Sequence, residues 1–249
     1  MKKCLLVMMA ILVAFVACQK KDGIPTDSMV DYVDEYGINQ GPGIELEGIV
    51  WAPVNCGYHK DDYKYGKLYQ WGRKYGQGYS KSFGDASGAE CEKGPISVDD
   101  GQKEAHSNIF FKVTEYPGDW AYPQDGKLWN SGTEVYPRKT EYDPCPEGWR
   151  VPVSSELDKL KNLYLSKTTV DGKTGYCLNV PDGSSSIFFP AAGSIFSESG
   201  EVERDKSGYY WSSTQFNGYG ACLLWFENDE VSSACSVRSS GHSVRCVQE

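Results

Sequence analysis

The clearest hydrophobic pattern begins at residue 44. Ile44, Leu46, Gly48 and Val50 alternate with Glu45 and Glu47, the two-residue period of a half-buried strand leading into Trp51-Ala52-Pro53-Val54-Asn55. Between residues 63 and 79 tyrosines and glycines intermingle. There Leu68, Trp71 and Tyr75 suit a helix, while Tyr65, Tyr69 and Trp71 suit a strand, and both readings stay open. Residues 84–140 are polar and punctuated by Pro117-Gly118, Tyr122-Pro123 and Asn130-Ser131-Gly132, which mark turns. One helix stands out over Ser154–Leu165, with Leu157, Leu160 and Tyr164 on one face. Strand patterns return at Gly175–Val180, Ser186–Phe189, Gly208–Ser212, Ala221–Phe226, Val231–Val237 and Ser243–Val247. No internal repeat interrupts this order.

The first residues read differently. Met1-Lys2-Lys3 is a positive start, and Cys4 to Ala17 is almost unbroken apolar sequence. That run is shorter than the roughly 20 residues a spanning helix needs, and it suits the apolar region of an export signal. Ala17-Cys18 resembles a bacterial lipobox, which implies cleavage after residue 17 and acylation of Cys18, with palmitate-type chains anchoring the protein in a membrane. Gln19 in second place favours the outer membrane. Residues 18–43 show no apolar period and are expected to be a tether; residues 44–249 are expected to be a single domain.

Composition narrows the class. Twenty-seven glycines, 17 tyrosines and 7 tryptophans indicate short strands joined by many turns, not a helical bundle, a coiled coil or a multi-span membrane protein. A net charge of −9 without a basic run argues against nucleic acid as a partner. Nine cysteines lose Cys4 with the leader and Cys18 to lipid. Those left are Cys56, Cys91, Cys145, Cys177, Cys222, Cys235 and Cys246, an odd set in which at least one thiol stays free or pairs between molecules. If Asn228-Asp229 forms a two-residue hairpin loop, Phe226 falls opposite Val231, Leu224 opposite Ser233 and Cys222 opposite Cys235. The last pair is then a non-hydrogen-bonded one within disulfide reach.

Catalytic signatures are sparse. Gly172-Lys173-Thr174 lacks the earlier glycine of a phosphate loop, its place being held by Lys167. Gly76-Gln77-Gly78 lacks the third glycine of a dinucleotide fingerprint. His59, His106 and His242 are isolated, and no zinc spacing or nucleophile elbow occurs. Asp61-Asp62 and Asp99-Asp100 lack the spaced ligands of a calcium loop. No cofactor and no metal site is expected.

Six motifs carry a resemblance. They are Trp51-Ala52-Pro53-Val54-Asn55, Tyr69-Gln70-Trp71-Gly72, Cys145-Pro146-Glu147-Gly148-Trp149-Arg150-Val151-Pro152, Phe189-Pro190-Ala191-Ala192-Gly193, Gly208-Tyr209-Tyr210-Trp211-Ser212-Ser213 and Ser243-Val244-Arg245-Cys246-Val247. In this order they resemble the Fibrobacter succinogenes major paralogous domain. The resemblance implies a C-type-lectin-like α+β fold, related to formylglycine-generating enzymes, in surface lipoproteins of Bacteroidota-like bacteria, some of them fimbrial. The chain departs from the family at Val153, where a capping threonine is usual; Ser154 is then the expected N-cap. It also lacks the Glu-Pro-Asn or Gln-Pro-Asp and Trp-Asn-Asp sets of calcium-dependent lectins, so calcium-dependent sugar binding does not carry over.

The motif residues Trp149, Trp211, Phe189 and Val244 read as scaffold, leaving recognition to loops. The stretches 194–207 and 214–220 hold Phe196, Phe216, Asn217 and Tyr219. These aromatics either stack on a sugar face or protein side chain, or pack beneath their own loops. The leading expectation is a non-catalytic, surface-exposed lipoprotein, an adhesin or fimbria-associated subunit with a glycan, protein or fimbrial partner. The alternative is an extracytoplasmic enzyme using a cysteine or metal site, which predicts a part-exposed cysteine beside a base or cation.

Overall fold

Main-chain pairing in this chain is mostly antiparallel and comes in short pieces. The computed structural model describes residues 29–61, 63–77, 90–203 and 205–249; the expected leader and Cys18 lie outside the described residues. Strands outnumber helices, and the longest α-helix among the described residues is Ser154–Lys159. The arrangement is α+β and loop-rich. No helix among the described residues is long and apolar enough to cross a membrane.

The largest sheet runs, in spatial order, through Val202–Glu203, Ser194–Ile195, Gly241–Ser243, Gly208–Phe216, Gly220–Glu227 and Glu230–Val237, with Leu68–Gln70 paired to Gly241–Ser243. A second sheet closes the two ends of the domain on each other: Ile44–Leu46, Ile49–Trp51, Val247–Gln248, Trp149–Arg150. A third joins Ser186–Pro190, Lys173–Asn179 and Tyr164–Val170. Alternation along the Gly208–Phe216 and Gly220–Glu227 strands divides the core. Trp211 and Leu223 face a cluster holding Tyr32, Trp71, Trp129 and Trp149. Tyr210, Leu224 and Phe226 face another holding Trp51, Leu157, Leu160, Tyr176 and Phe189. Trp149, Trp211, Phe189 and Val244 are all fully buried.

The hairpin register follows the arithmetic of its turn: Phe226 opposes Val231, Leu224 opposes Ser233 and Cys222 opposes Cys235. Asn228 and Asp229 sit at φ 49° and 63°, the positive pair that a tight hairpin requires. Leu68–Gln70 is a strand, which decides the open choice around Tyr69.

Four expectations change. The single strand from Ile44 is a hairpin, Ile44–Leu46 against Ile49–Trp51, because Glu47 and Gly48 take φ 54° and 75° and reverse the chain. The helix ends at Lys159, passes through a 3-10 turn at Leu160–Asn162 and becomes strand from Tyr164. Leu157 and Leu160 are buried as expected, but Tyr164 points outward. Val153, not Ser154, precedes the helix. Its N–H bonds Glu156 Oε2 at 2.9 Å, while the Ser154 N–H is met by Thr214 Oγ1 at 3.0 Å, so a distant strand caps the helix. Finally, the stretch expected as tether is structured from residue 31 on: Asp31–Val33 pairs with Asn39–Pro42, and buried Tyr32 meets Trp149 edge-on at 5.3 Å.

Irregular backbone leaves carbonyls without ladder partners, and buried side chains that only donate meet them. Arg73 bonds the carbonyls of Gly101 (3.2 Å), Ile109 (2.5 Å) and His106 (2.8 Å). Arg73→Lys leaves at least two of those carbonyls unmet. Each buried unmet group costs about 1–3 kcal/mol, so a loss of about 3 kcal/mol is expected. A lowered urea midpoint at constant m-value measures it; an unchanged midpoint contradicts it.

Candidate functional site

The predicted recognition aromatics are solvent-facing. Phe196 follows the Ser194–Ile195 strand and sits in a loop closed by two main-chain bonds, Phe196 N–H to Glu201 O and Gly200 N–H to Phe196 O. Phe216 ends its strand, which runs through residues 214–216 expected as loop. Asn217 and Gly218 then turn the chain at φ 48° and 76°, so Asn217 serves the turn with its side chain exposed. Tyr219 rests against Tyr116 with ring centroids 5.5 Å apart. Exposure is 46% for Phe196, 42% for Phe216, 40% for Tyr219 and 83% for Tyr116, so the three predicted rings are each partly covered and partly open to solvent.

Two recesses lie beside them. One, of ≈ 210 Å³, opens between the Ser154–Lys159 helix and the 220–237 hairpin, with Phe216 and Leu157 on its walls. The other, of ≈ 200 Å³, is walled by Phe196, Tyr209 and His242. Both reach Leu223, Ala234 and Cys235. The outer strand, Glu230–Val237, is thus shared by the two recesses.

His242 is the residue whose role the sequence hid. Its ring stacks on Tyr209 at 5.2 Å and meets Trp211 at 4.4 Å. Neither ring nitrogen has a hydrogen-bond partner among the described residues. Burial pushes its pKa down to about 3, so it is a neutral polar group in the wall of the Phe196 recess. Position alone, in a short strand between Gly241 and Ser243, carries no signal of this.

Cys222 and Cys235 stand opposite each other, both as free thiols; the bond instead joins Cys145 to Cys246, with Cα atoms 5.9 Å apart. The Cys222 thiol is pushed up to about 12 by burial and then by Cys235. Cys56 is buried, lies with Cys145 and Cys246 in one sulfur cluster within 4.8 Å, and is likewise raised to about 12 by burial. With Cys145 and Cys246 bonded, Cys56 alone offers a thiol there. Burial raises Cys91 as well, against a smaller lowering by Lys112. Of the acidic pairs, Asp100 is taken up by Ser97 and Lys103, and Asp62 lies outside the described residues. Among the described residues His106 Nδ1 lies 2.7 Å from Asp100 O, and His59 Nδ1 accepts from the Asp61 N–H.

The His242 environment makes stability pH-dependent. An unfolded His protonates near 6.5, whereas the folded ring stays neutral down to about 3. Between these values the unfolded chain binds the extra proton, so stability falls as pH drops below 6.5, by up to roughly 1.4 kcal/mol per unit. His242→Phe removes this part, and the stability difference between pH 7 and pH 5, from urea unfolding, should shrink by about 2 kcal/mol. An identical pH dependence in both proteins contradicts the assignment. Comparison with family models, with curated proteins and with solved structures returns no match for this chain.

Proposed function

We propose that this chain is a lipid-anchored, non-catalytic cell-surface protein that presents ligand-binding loops, in the manner of an adhesin or a fimbria-associated subunit, on a C-type-lectin-like domain resembling the Fibrobacter succinogenes major paralogous domain. The observation that carries the reading is the set of exposed rings, Phe196, Phe216 and Tyr219 with Tyr116, beside a sheet whose Tyr69, Tyr210, Trp211 and Phe226 are buried. Folded domains seldom leave several large rings beside recesses unless something covers them, and rigid aromatic anchors lose little entropy on binding. Shallow apolar recesses flanked by rings suit a sugar face or an apolar protein side chain.

The reading as a binding module is further supported by the state of the thiols. A nucleophilic cysteine needs a lowered pKa or an adjacent base. The shifts at Cys56, Cys91 and Cys222 are all upward, with burial the first cause. The anchor reading rests on Ala17-Cys18, with the domain carried on the outer membrane.

A panel of immobilised glycans and extracellular-matrix proteins, probed with the purified protein, tests the binding reading. Replacing Phe196 and Phe216 together with Ser should weaken capture of any ligand found by tenfold or more while the near-ultraviolet circular dichroism stays unchanged. Undiminished capture removes the aromatic rim from the account. Cys18→Ser should abolish incorporation of labelled palmitate and release the protein from the membrane fraction; retention of label contradicts the anchor.

A further inference from the structure

A third recess shares no wall with the two described above. It has a volume of ≈ 190 Å³ and lies between the Tyr58–Tyr65 region, the turn joining Tyr164–Val170 to Lys173–Asn179, and the strand Ser186–Pro190. Asp171 and Gly172 form that turn at φ 49° and 75°, which delivers Lys173 at the first position of its strand. Lys173 is only 8% exposed. Its Nζ has no hydrogen-bond acceptor and no carboxylate within 4 Å among the described residues; its contact is the face of Tyr58, 5.2 Å from the ring centroid. The residue is thus largely covered, while its ammonium opens on the recess with no counter-ion in contact among the described residues.

The floor adds to the same sign. Arg245 is 1% exposed and is held by Asn55 Oδ1 (2.8 Å) and the carbonyls of Ala52 (3.0 Å) and Phe188 (2.9 Å), with no carboxylate paired to it among the described residues. Lys64 stands exposed at the rim, and Asp171 is the acid on the lining. A chain with a net charge of −9 therefore keeps a recess with an excess of cations. The rest of the lining is aromatic and apolar: Tyr58, Tyr65, Phe188 and Val54. Asn55 and Tyr65 are fixed in place, since Asn55 Nδ2 donates to Tyr65 O at 2.8 Å and the Tyr65 hydroxyl donates to Asp205 at 2.5 Å. The site is preorganised.

We infer that this recess binds a small organic anion, a single sugar ring bearing a carboxylate, with the carboxylate on Lys173 Nζ, the ring against Tyr58 and Phe188, and Lys64 drawing the ligand in. The apolar walls argue for an organic ligand over an inorganic ion, and the volume limits it to about one ring. Burial lowers the Lys173 pKa, and Lys64 and Arg245 lower it further against the pull of Asp171; a bound carboxylate relieves that strain by restoring a partner for the charge. This site does not depend on the aromatic rim and can stand or fall separately from it.

Titration calorimetry of the purified protein with methyl glucuronide, methyl glucoside, acetate and inorganic phosphate tests the inference. The glucuronide should bind at least tenfold more tightly than the glucoside, acetate or phosphate. Lys173→Met should weaken glucuronide binding tenfold or more with the circular dichroism of the native protein retained. Lys64→Ala, at an exposed site that leaves the fold alone, should weaken it two- to fivefold at low salt and less at high salt, and it gives the decisive reading if Lys173→Met fails to fold. Equal binding of glucuronide and glucoside, acetate or phosphate binding as well as glucuronide, no glucuronide binding at all, or unchanged affinity in a folded Lys173→Met or in Lys64→Ala overturns it.

Discussion

The interior of this domain depends on side chains that donate hydrogen bonds and accept none. Short strands leave long stretches of irregular main chain, and each buried carbonyl there needs a partner. Arg73, Arg238 and Arg245 supply forks of N–H groups; each is fully or almost fully buried. Lys139 gathers the carbonyls of Cys145 (2.5 Å), Pro146 (2.7 Å) and Trp149 (2.6 Å) under one ammonium. Four of the indoles do the same with larger apolar bodies, Trp71 to Ser212 O, Trp120 to Trp71 O, Trp129 to Arg73 O and Trp211 to Tyr69 O, whereas the buried N–H groups of Trp51 and Trp149 meet no partner among the described residues. An amide or hydroxyl there would bring an acceptor that needs its own donor. An indole or guanidinium fills volume and satisfies oxygen without adding that need. Tryptophan richness and buried arginine in an acidic chain are thus two expressions of one constraint.

That constraint explains which parts are legible in the sequence. The 220–237 hairpin is readable to the residue because its register follows from local turn geometry. The scaffold aromatics are readable because motifs pairing large rings with glycine leave little choice but burial. Helical spacing runs past the end of the helix, since Leu157, Leu160 and Tyr164 keep its period. The pairing of Tyr164 with Asn179 draws the chain instead into a sheet that local periodicity does not encode. Ile44 to Trp51 defeats the two-residue period in the same way, since Glu47 takes a left-handed conformation uncommon for that residue. The charge of the Lys173 recess is hidden for another reason. It is assembled from Lys64, Lys173 and Arg245, far apart in sequence, and Arg245 sits inside a motif whose spacing speaks only of packing.

A rigid interior changes what the loops can do. Carbonyl-to-arginine and carbonyl-to-indole bonds tie main chain to the core at many points. Phe196 directly follows one sheet strand and Phe216 ends another, where binding would cost less ordering entropy than on a free loop. Val202–Glu203 and Glu230–Val237, the two ends of the main sheet, are where such a surface meets solvent.

The bridge between Cys145 and Cys246 secures the same interior from the covalent side. It spans 101 residues, a loop length for which chain-entropy reasoning gives about 4.7 kcal/mol, and it joins the Cys145–Pro152 motif to the residue just before the last strand, Val247–Gln248, where the ends of the domain are already paired. A third sulfur so close invites exchange, because a thiolate attacks a disulfide and the pairing then scrambles. Cys56 is held against that outcome. Its thiol donates to Pro144 O at 3.2 Å and accepts from the Tyr69 hydroxyl at 3.2 Å, and burial pushes its pKa up to about 12. At neutral pH the attacking species is about five orders of magnitude less abundant than the thiol. The cluster therefore keeps its pairing because burial among the tyrosines and tryptophans of the core disfavours the thiolate that exchange requires.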